Sequence, residues 1–542
     1  NINITGVGRY LANDWIYSFY QLRWIYKNFF AQAYLNRSQA GTTRNLRTGV
    51  VIKDLSRFFH YQFQHYFDIP EFYNTKVIWG GDYQRTMPET FGTILPDGTG
   101  GRNPISYGDD GKDNDGDGEI DEWDELIVTN EYGLYLQTQS KLNQYFDLIL
   151  SSRLDLHSGQ QSADGITFLE DPIGGGTIKY FPQISPKMGL LWKPTDNHTF
   201  RFTAARAFNT PSSQGLYLNL KVAQYSIFEV KARGNKDGYN YMRNEDDELL
   251  IYYTGASTQD ENFQEIVVMP NNYVLLLPPV LGRPTTFINP EDCQYIKPVR
   301  SEEVWTYEIG FSGLLNRRIR GTLDLYSSQY SDFVSDLTWI TPIVMDTSNG
   351  FDNYEILGII ATSEHDNIDI GPDNISGTAD DTKIVDPYSD DRIELTLTNI
   401  NYGRVFIHGF DMSIHTFFTK NIYAEMNASY LGQQEFYNPL TRDYDPINAP
   451  NFKINSSLNY ESPSGIMANI SFRYIPKFNW SAGVFYGTIE SYFISDLGIG
   501  YKLNKTFSVL ANITNIFNDY HREIVGGPEL GRHFKFKVSA TL

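Results

Sequence analysis

The chain has 542 residues, a formal net charge of −21 and a pI of about 4.9, which excludes a nucleic-acid-binding role, because that role needs a basic face. No run of apolar residues is long enough for a transmembrane helix, and the single Cys293 excludes an intrachain disulfide. Aromatic residues reach 15% while hydrophobic content stays at 41%, a profile that suits strands with only one apolar face and aromatic girdles at two interfaces. A chain of this length would ordinarily divide into domains, yet no linker separates any.

The first clear strand falls around Tyr17–Tyr26, and from there the recurring signal is alternation with a period of two. In Gln144–His157, Phe146, Leu148, Leu150, Leu154 and Leu156 share one face, while Asp147, Ser151, Arg153, Asp155 and His157 share the other. Further on, Leu323 and Leu325 oppose Thr322, Asp324, Tyr326 and Ser328. In Asn421–Tyr430, Ile422, Ala424, Met426, Ala428 and Tyr430 oppose Tyr423, Glu425, Asn427 and Ser429. In Ile466–Tyr474, Ile470 and Phe472 oppose Asn469, Ser471 and Arg473.

One apolar and one polar face also suits a soluble sheet on a core, so connection lengths decide. Tight turns join strand pairs at Lys193–Asn197, Leu315–Arg317, Thr419–Asn421, Ser462–Gly465 and Leu503–Lys505. Long polar segments separate the pairs at 89–129, 159–183, 208–300 and 334–393. Short turns alternating with long loops mark an all-β, antiparallel transmembrane β-barrel of the outer membrane, with turns periplasmic and loops extracellular. About 17 strands are expected, each near the ~9–11 residues that cross a bilayer at a tilt. An odd count leaves an open edge, which lipid does not tolerate, so further strands are expected upstream of Asn1. The chain starts without Met and without a signal peptide, which an exported protein should carry, so processing or truncation is expected to have removed it.

The stretch Ala511–Tyr520, with Asn512, Asn515, Phe517 and Asn518, followed by Gly527, Pro528, Gly531 and Arg532, resembles the end of TonB-dependent outer-membrane receptors and transporters. Other pieces follow the family's order. They are Tyr132–Gln137 with Arg153 and Asp155, then Ser185–Lys187 with Arg206 and Asn209–Ser212. Glu303–Gly310, then Asn401, Gly403 and Gly409–Asp411, and finally Asn448–Pro450 continue the series. Two departures are Glu529 and Leu530 between the Pro and the Gly-Arg, and Leu542 where the family usually ends in an aromatic.

The resemblance implies a barrel of about 22 strands around an N-terminal plug. The present residues would be its C-terminal barrel portion, with the plug and first strands outside the sequence. It also implies import of a scarce or large ligand (siderophore, cobalamin, glycan or peptide), coupled to TonB through the N-terminal region. Outer-membrane lipid and a surface lipoprotein are further expected partners. The alternative is a non-transporting barrel subunit of a surface or assembly complex. No Ser/His/Asp set, phosphate-binding glycine loop or paired catalytic carboxylates stand out, so no enzyme is expected.

The sharpest local motif is Asp113, Asp115, Asp117, Glu119, Asp121 and Asp124, which has the spacing of an EF-hand loop. Gly116 and Gly118 permit the tight turn that brings several oxygens to one Ca²⁺. Asp124 is shorter than the usual closing Glu, and Glu125 is a substitute. The other reading is a solvated acidic loop. A second acidic segment, Asp366–Asp381, has irregular spacing and is a weaker calcium candidate. Arg153, Asp155, Arg201, Glu425 and Arg473 are expected to face the lumen and to pair with one another or with a plug. Tyr217, Tyr225, Phe228, Tyr239, Tyr241, Tyr252 and Tyr253 in segment 208–300 suit either contact with a ligand or partner, or packing on neighbouring loops.

Overall fold

A computed structural model describes residues 2–5, 8–47, 49–95, 128–157, 169–170, 177–178, 182–225, 228–236, 238–241, 243, 247–249, 251–253, 273–277, 286–350, 355–360, 362–364, 393–482 and 485–540. Seventeen strands form one antiparallel sheet rolled as a barrel. The first eight are β1 (Ile16–Tyr26), β2 (Phe29–Gln39), β3 (Arg57–Ile69), β4 (Thr75–Met87), β5 (Thr129–Lys141), β6 (Phe146–His157), β7 (Gln183–Thr195) and β8 (His198–Asn209). Then come β9 (Glu302–Asn316), β10 (Ile319–Ser331), β11 (Val405–Phe417), β12 (Ile422–Leu431) and β13 (Phe452–Glu461). The last four are β14 (Ile466–Ile475), β15 (Tyr492–Lys502), β16 (Phe507–Thr514) and β17 (His533–Ala540). Each pairs with the next in sequence. Count and direction agree with the alternation read from the sequence.

The register carries the alternation from strand to strand. Leu134, Leu154 and Ile184 form one row across β5, β6 and β7 and are 60%, 38% and 55% exposed. One residue along, Asp82, Gly133 and Asp155 form a row across β4, β5 and β6 on the opposite face. An apolar outer face of this size is not compatible with water and is the surface a bilayer requires. Aromatic contacts gather at both ends of the wall. At the turn end, Phe200 packs between Trp192 and Phe311, each at 5.1 Å between ring centroids. At the loop end, Tyr83 lies between Phe59 and Tyr132, at 6.2 and 5.0 Å. These are the two interfacial girdles that amphipathic rings favour.

The sheet curls as a barrel, yet no register joins β1 to β17 among the described residues. Both faces of these two strands are largely exposed.

Segments 208–300 and 334–393, read above as long polar loops, contain strands of their own that pair with one another. One four-stranded sheet runs 219–225, 228–233, 393–398 and 338–339. Its central pairing, Phe228–Ala232 with Ile393–Leu397, is parallel. A five-stranded sheet runs 251–253, 355–360, 343–346, 273–277 and 286–288. Ala232, Ile340, Val344, Ile360 and Leu397 are completely buried in the shared core. Sheets of this kind hide their apolar faces only by packing on each other, so the two loops form one capping body at the loop end of β8–β11.

Adjacent residues of β14 offer a test of the lipid face. Ile470, opposite Leu497, belongs to the outer set, and Ser471, opposite Asp496, to the inner set. Ile470→Arg is expected to cost about 2–4 kcal/mol in a bilayer, and Ser471→Arg far less. Urea unfolding in phospholipid vesicles measures both, and equal losses would overturn the assignment of faces.

Candidate functional site

The inner face holds charged groups in paired sets. The Arg153 guanidinium reaches from β6 across β5 to Asp82 on β4, with Nη1 and Nη2 donating to the carboxylate at 2.6 and 2.9 Å. Its Nε donates to Asp155 at 2.7 Å. The crossing requires Gly133, where a Cβ would stand 2.0 Å from Arg153 Nη2. The same device recurs at Gly310, where a Cβ would meet Asp324 at 2.3 Å, beside Arg201. Arg201 itself donates to Asp324 at 2.9 Å and to Glu308. Glu425 lies 3.2 Å from His415, and Arg473 lies 3.7 Å from Glu523. All five lumenal charges named from the sequence thus have a charged or ionisable protein partner, an arrangement that stiffens the wall.

Space for a ligand lies higher, at the loop end. A chamber of about 720 Å³ spans the mouth between the segments around β1–β4 and those around β8–β11. Tyr10, Trp15 and Ile94 line one side, and Glu302, Asp336 and Asn399 the other. Asn209, Thr210, Pro211 and Ser212, prominent in the sequence, lie on its wall. Ser212 caps the short helix Ser213–Tyr217 by accepting from Gly215 N at 3.1 Å, which fixes the bend by which the chain leaves β8 for the capping body. A concave space of this size, mostly apolar with a few polar groups, has the form of a ligand site.

The capping body is held by buried charge as well as by its core. Glu394, 3% exposed, accepts from Arg233 Nε and Nη2 at 2.6 and 2.9 Å and lies 3.2 Å from Lys231. Burial alone would raise its pKa, but the two cations outweigh that effect and hold it down to about 2. Tyr239 and Tyr241, candidates for ligand contact, are 1% and 5% exposed and belong to the core instead. The calcium motif Asp113–Asp124 and the acidic segment 366–381 lie outside the described residues. Among the described residues no group of three or more His, Cys, Asp or Glu could hold a metal ion. The contribution of Asp336 and Glu302 to the chamber was not read from the sequence, since neither sits in a local motif.

Residues 3–516 match the family described as TonB dependent receptor-like, beta-barrel. The chain belongs to this family. TonB-dependent receptors are transporters rather than enzymes, reside in the outer membrane, bind ligands and interact with TonB. Solved structures of such receptors share the fold. The siderophore receptor PirA from Acinetobacter baumannii is 13% identical with a TM-score of 0.55, the match covering 97% of this chain and 62% of that one. A mutant of the ferric enterobactin receptor PfeA from Pseudomonas aeruginosa, in complex with enterobactin, is 13% identical with a TM-score of 0.57 and the same coverage of 97% and 62%. The FrpB iron transporter from Neisseria meningitidis is 12% identical with a TM-score of 0.52, covering 97% and 63%. The chain therefore spans less than two thirds of the length of these receptors. No curated protein matches it.

The Glu394 triad is expected to make the cap of this receptor-family barrel acid-sensitive. A carboxylate whose pKa falls from 4.5 to about 2 on folding contributes stability that is fully present above 4.5 and is lost as pH drops through about 2. Hydrogen exchange in 228–233 and 393–398, corrected for its intrinsic pH dependence, is expected to quicken over that window. Glu394→Gln, which deprives Arg233 and Lys231 of their shared carboxylate, is expected to destabilise the cap by about 3–5 kcal/mol at neutral pH. Unchanged protection in both experiments would show that the triad contributes nothing.

Proposed function

We propose that this chain forms the wall and outer cap of an outer-membrane receptor that imports a scarce or large ligand with energy delivered through TonB. The capped ends of the strands face the outside and the tight turns face the periplasm. The observation that carries the reading is the chamber at the loop end, built from segments that precede, join and follow eight of the strands. A ligand meets this chamber before it meets the charged inner wall. Family membership supports the coupling to TonB, and the names of the similar structures make iron chelates one class to be tested.

The test uses the full-length protein in its own cells. A short epitope placed in the hairpin 435–446 is expected to be labelled on intact cells. The protein is expected in the outer-membrane fraction, and the purified protein is expected to retain the C-terminal domain of TonB. Labelling only after permeabilisation, or recovery in a soluble fraction, would overturn the orientation or the location. Failure to retain TonB would favour a barrel that does not transport.

We also propose that Asp113, Asp115, Asp117, Glu119, Asp121 and Asp124 bind one Ca²⁺. Support comes from the ligand spacing and from the mutual repulsion that so many adjacent carboxylates would otherwise experience. EDTA is then expected to speed proteolysis within 96–127 and leave the barrel intact. Equal cleavage with and without EDTA would count against calcium.

A further inference from the structure

A second, smaller cavity of about 180 Å³ lies between the capping body and the hairpin 435–446, close to the size of a single six-membered ring. It shares Val334, Asp336 and Leu337 with the large chamber, so the two spaces adjoin. Three aromatic rings meet in its wall. Phe333 stacks on Tyr402 at 6.2 Å and 19°, and Phe436 meets Phe333 edge-on at 5.0 Å.

Two carboxylates complete the cavity. Asp445 accepts from Asn438 Nδ2 at 2.8 Å and from the Tyr402 hydroxyl. Asp336 is exposed where it lines both spaces. Desolvation by the surrounding protein raises its pKa, the negative charge of Asp445 raises it further, and a hydrogen bond with Asn448 lowers it. Among the described residues that line either space there is no Lys, Arg or His.

This set of groups discriminates between ligand classes. An anionic ligand, such as a ferric catecholate or a phosphate, would confront two carboxylates with no described cation in the lining. A bare cation would satisfy the carboxylates but would leave the aromatic wall without use. A neutral hydroxylated ring answers both. Its hydroxyls donate to carboxylate oxygens, and its C–H face lies on an aromatic ring. Asp336, exposed where it lines both spaces, offers its carboxylate oxygens to ligand hydroxyls.

We propose that this cavity binds the terminal ring of a neutral oligosaccharide, whose following rings run into the adjoining chamber. The assignment rests on the reading of the chain as a ligand-capturing receptor and names the ligand class of that site.

The full-length protein in detergent provides the test through tryptophan emission, since Trp339 lines the small cavity and Trp15 the large one. The probes are linear neutral hexasaccharides of glucose in α and β linkage, mannose, galactose and xylose, with a ferric tris-catecholate as the anionic comparison. At least one hexasaccharide is expected to quench the emission saturably. Phe333→Ala and the isosteric Asp336→Asn are each expected to weaken that binding by about tenfold or more, with heat-modifiable migration unchanged. The ferric tris-catecholate is expected not to bind. Absence of saturable binding by all the hexasaccharides, or affinity untouched by Asp336→Asn, overturns the proposal. Binding of the catecholate alone by a protein that is in the outer membrane and retains TonB overturns the sugar assignment while the receptor reading stands. A protein absent from the outer membrane overturns both.

Discussion

In hydrocarbon an unpaired backbone amide or carbonyl costs roughly several kcal/mol, and everything else in this structure is arranged around that cost. It is why β1 to β17 pair in unbroken sequence order, and why the register rather than any core decides which residues face outward. Shifting one strand by a single residue would exchange the row Leu134–Leu154–Ile184 with the row Asp82–Gly133–Asp155. Apolar groups would then line the lumen and carboxylates would enter lipid.

The inner face answers a different problem. Charges here have no continuous solvent of high dielectric on every side, and they are satisfied by reaching across neighbouring strands. Gly133 and Gly310 are the sites where this reach is possible, because a side chain there would occupy the path of Arg153 or the place of Asp324 and Arg201. Small residues in strands usually weaken them. In these two places they permit ion pairs that bind three consecutive strands together, Asp82 to Arg153 across β5 and Arg201 to Asp324 across β9.

Much of the wall was legible in the sequence. Ser471 between Ile470 and Phe472, or Arg153 between Ser152 and Leu154, declares its face by its neighbours, and turns such as Ser462–Gly465 separate the strands cleanly. The cap was not legible. Its decisive pairing is parallel and its buried ion pair, Arg233 with Glu394, joins residues 161 apart, so no local pattern announces it. The short apolar runs around Ile340 and Val344 look like interruptions in a polar loop until the strands that cover them are in place. The small cavity was invisible for the same reason. Asp336 and Asp445 belong to different loops and meet only when β10, β11 and β12 set those loops side by side.

The parallel pairing of 228–232 with 393–397 also has a temporal meaning. The chain between these two segments contains β9 and β10, so the cap closes only over a long excursion of the chain. Contacts this distant in sequence are slow to form, because loop-closure entropy is lost before any burial compensates it. Closure of the cap is therefore expected to be slower than formation of the hairpins beneath it. A cap left open would expose apolar residues such as Ala232, Val344 and Leu397, a surface that chaperones and proteases recognise.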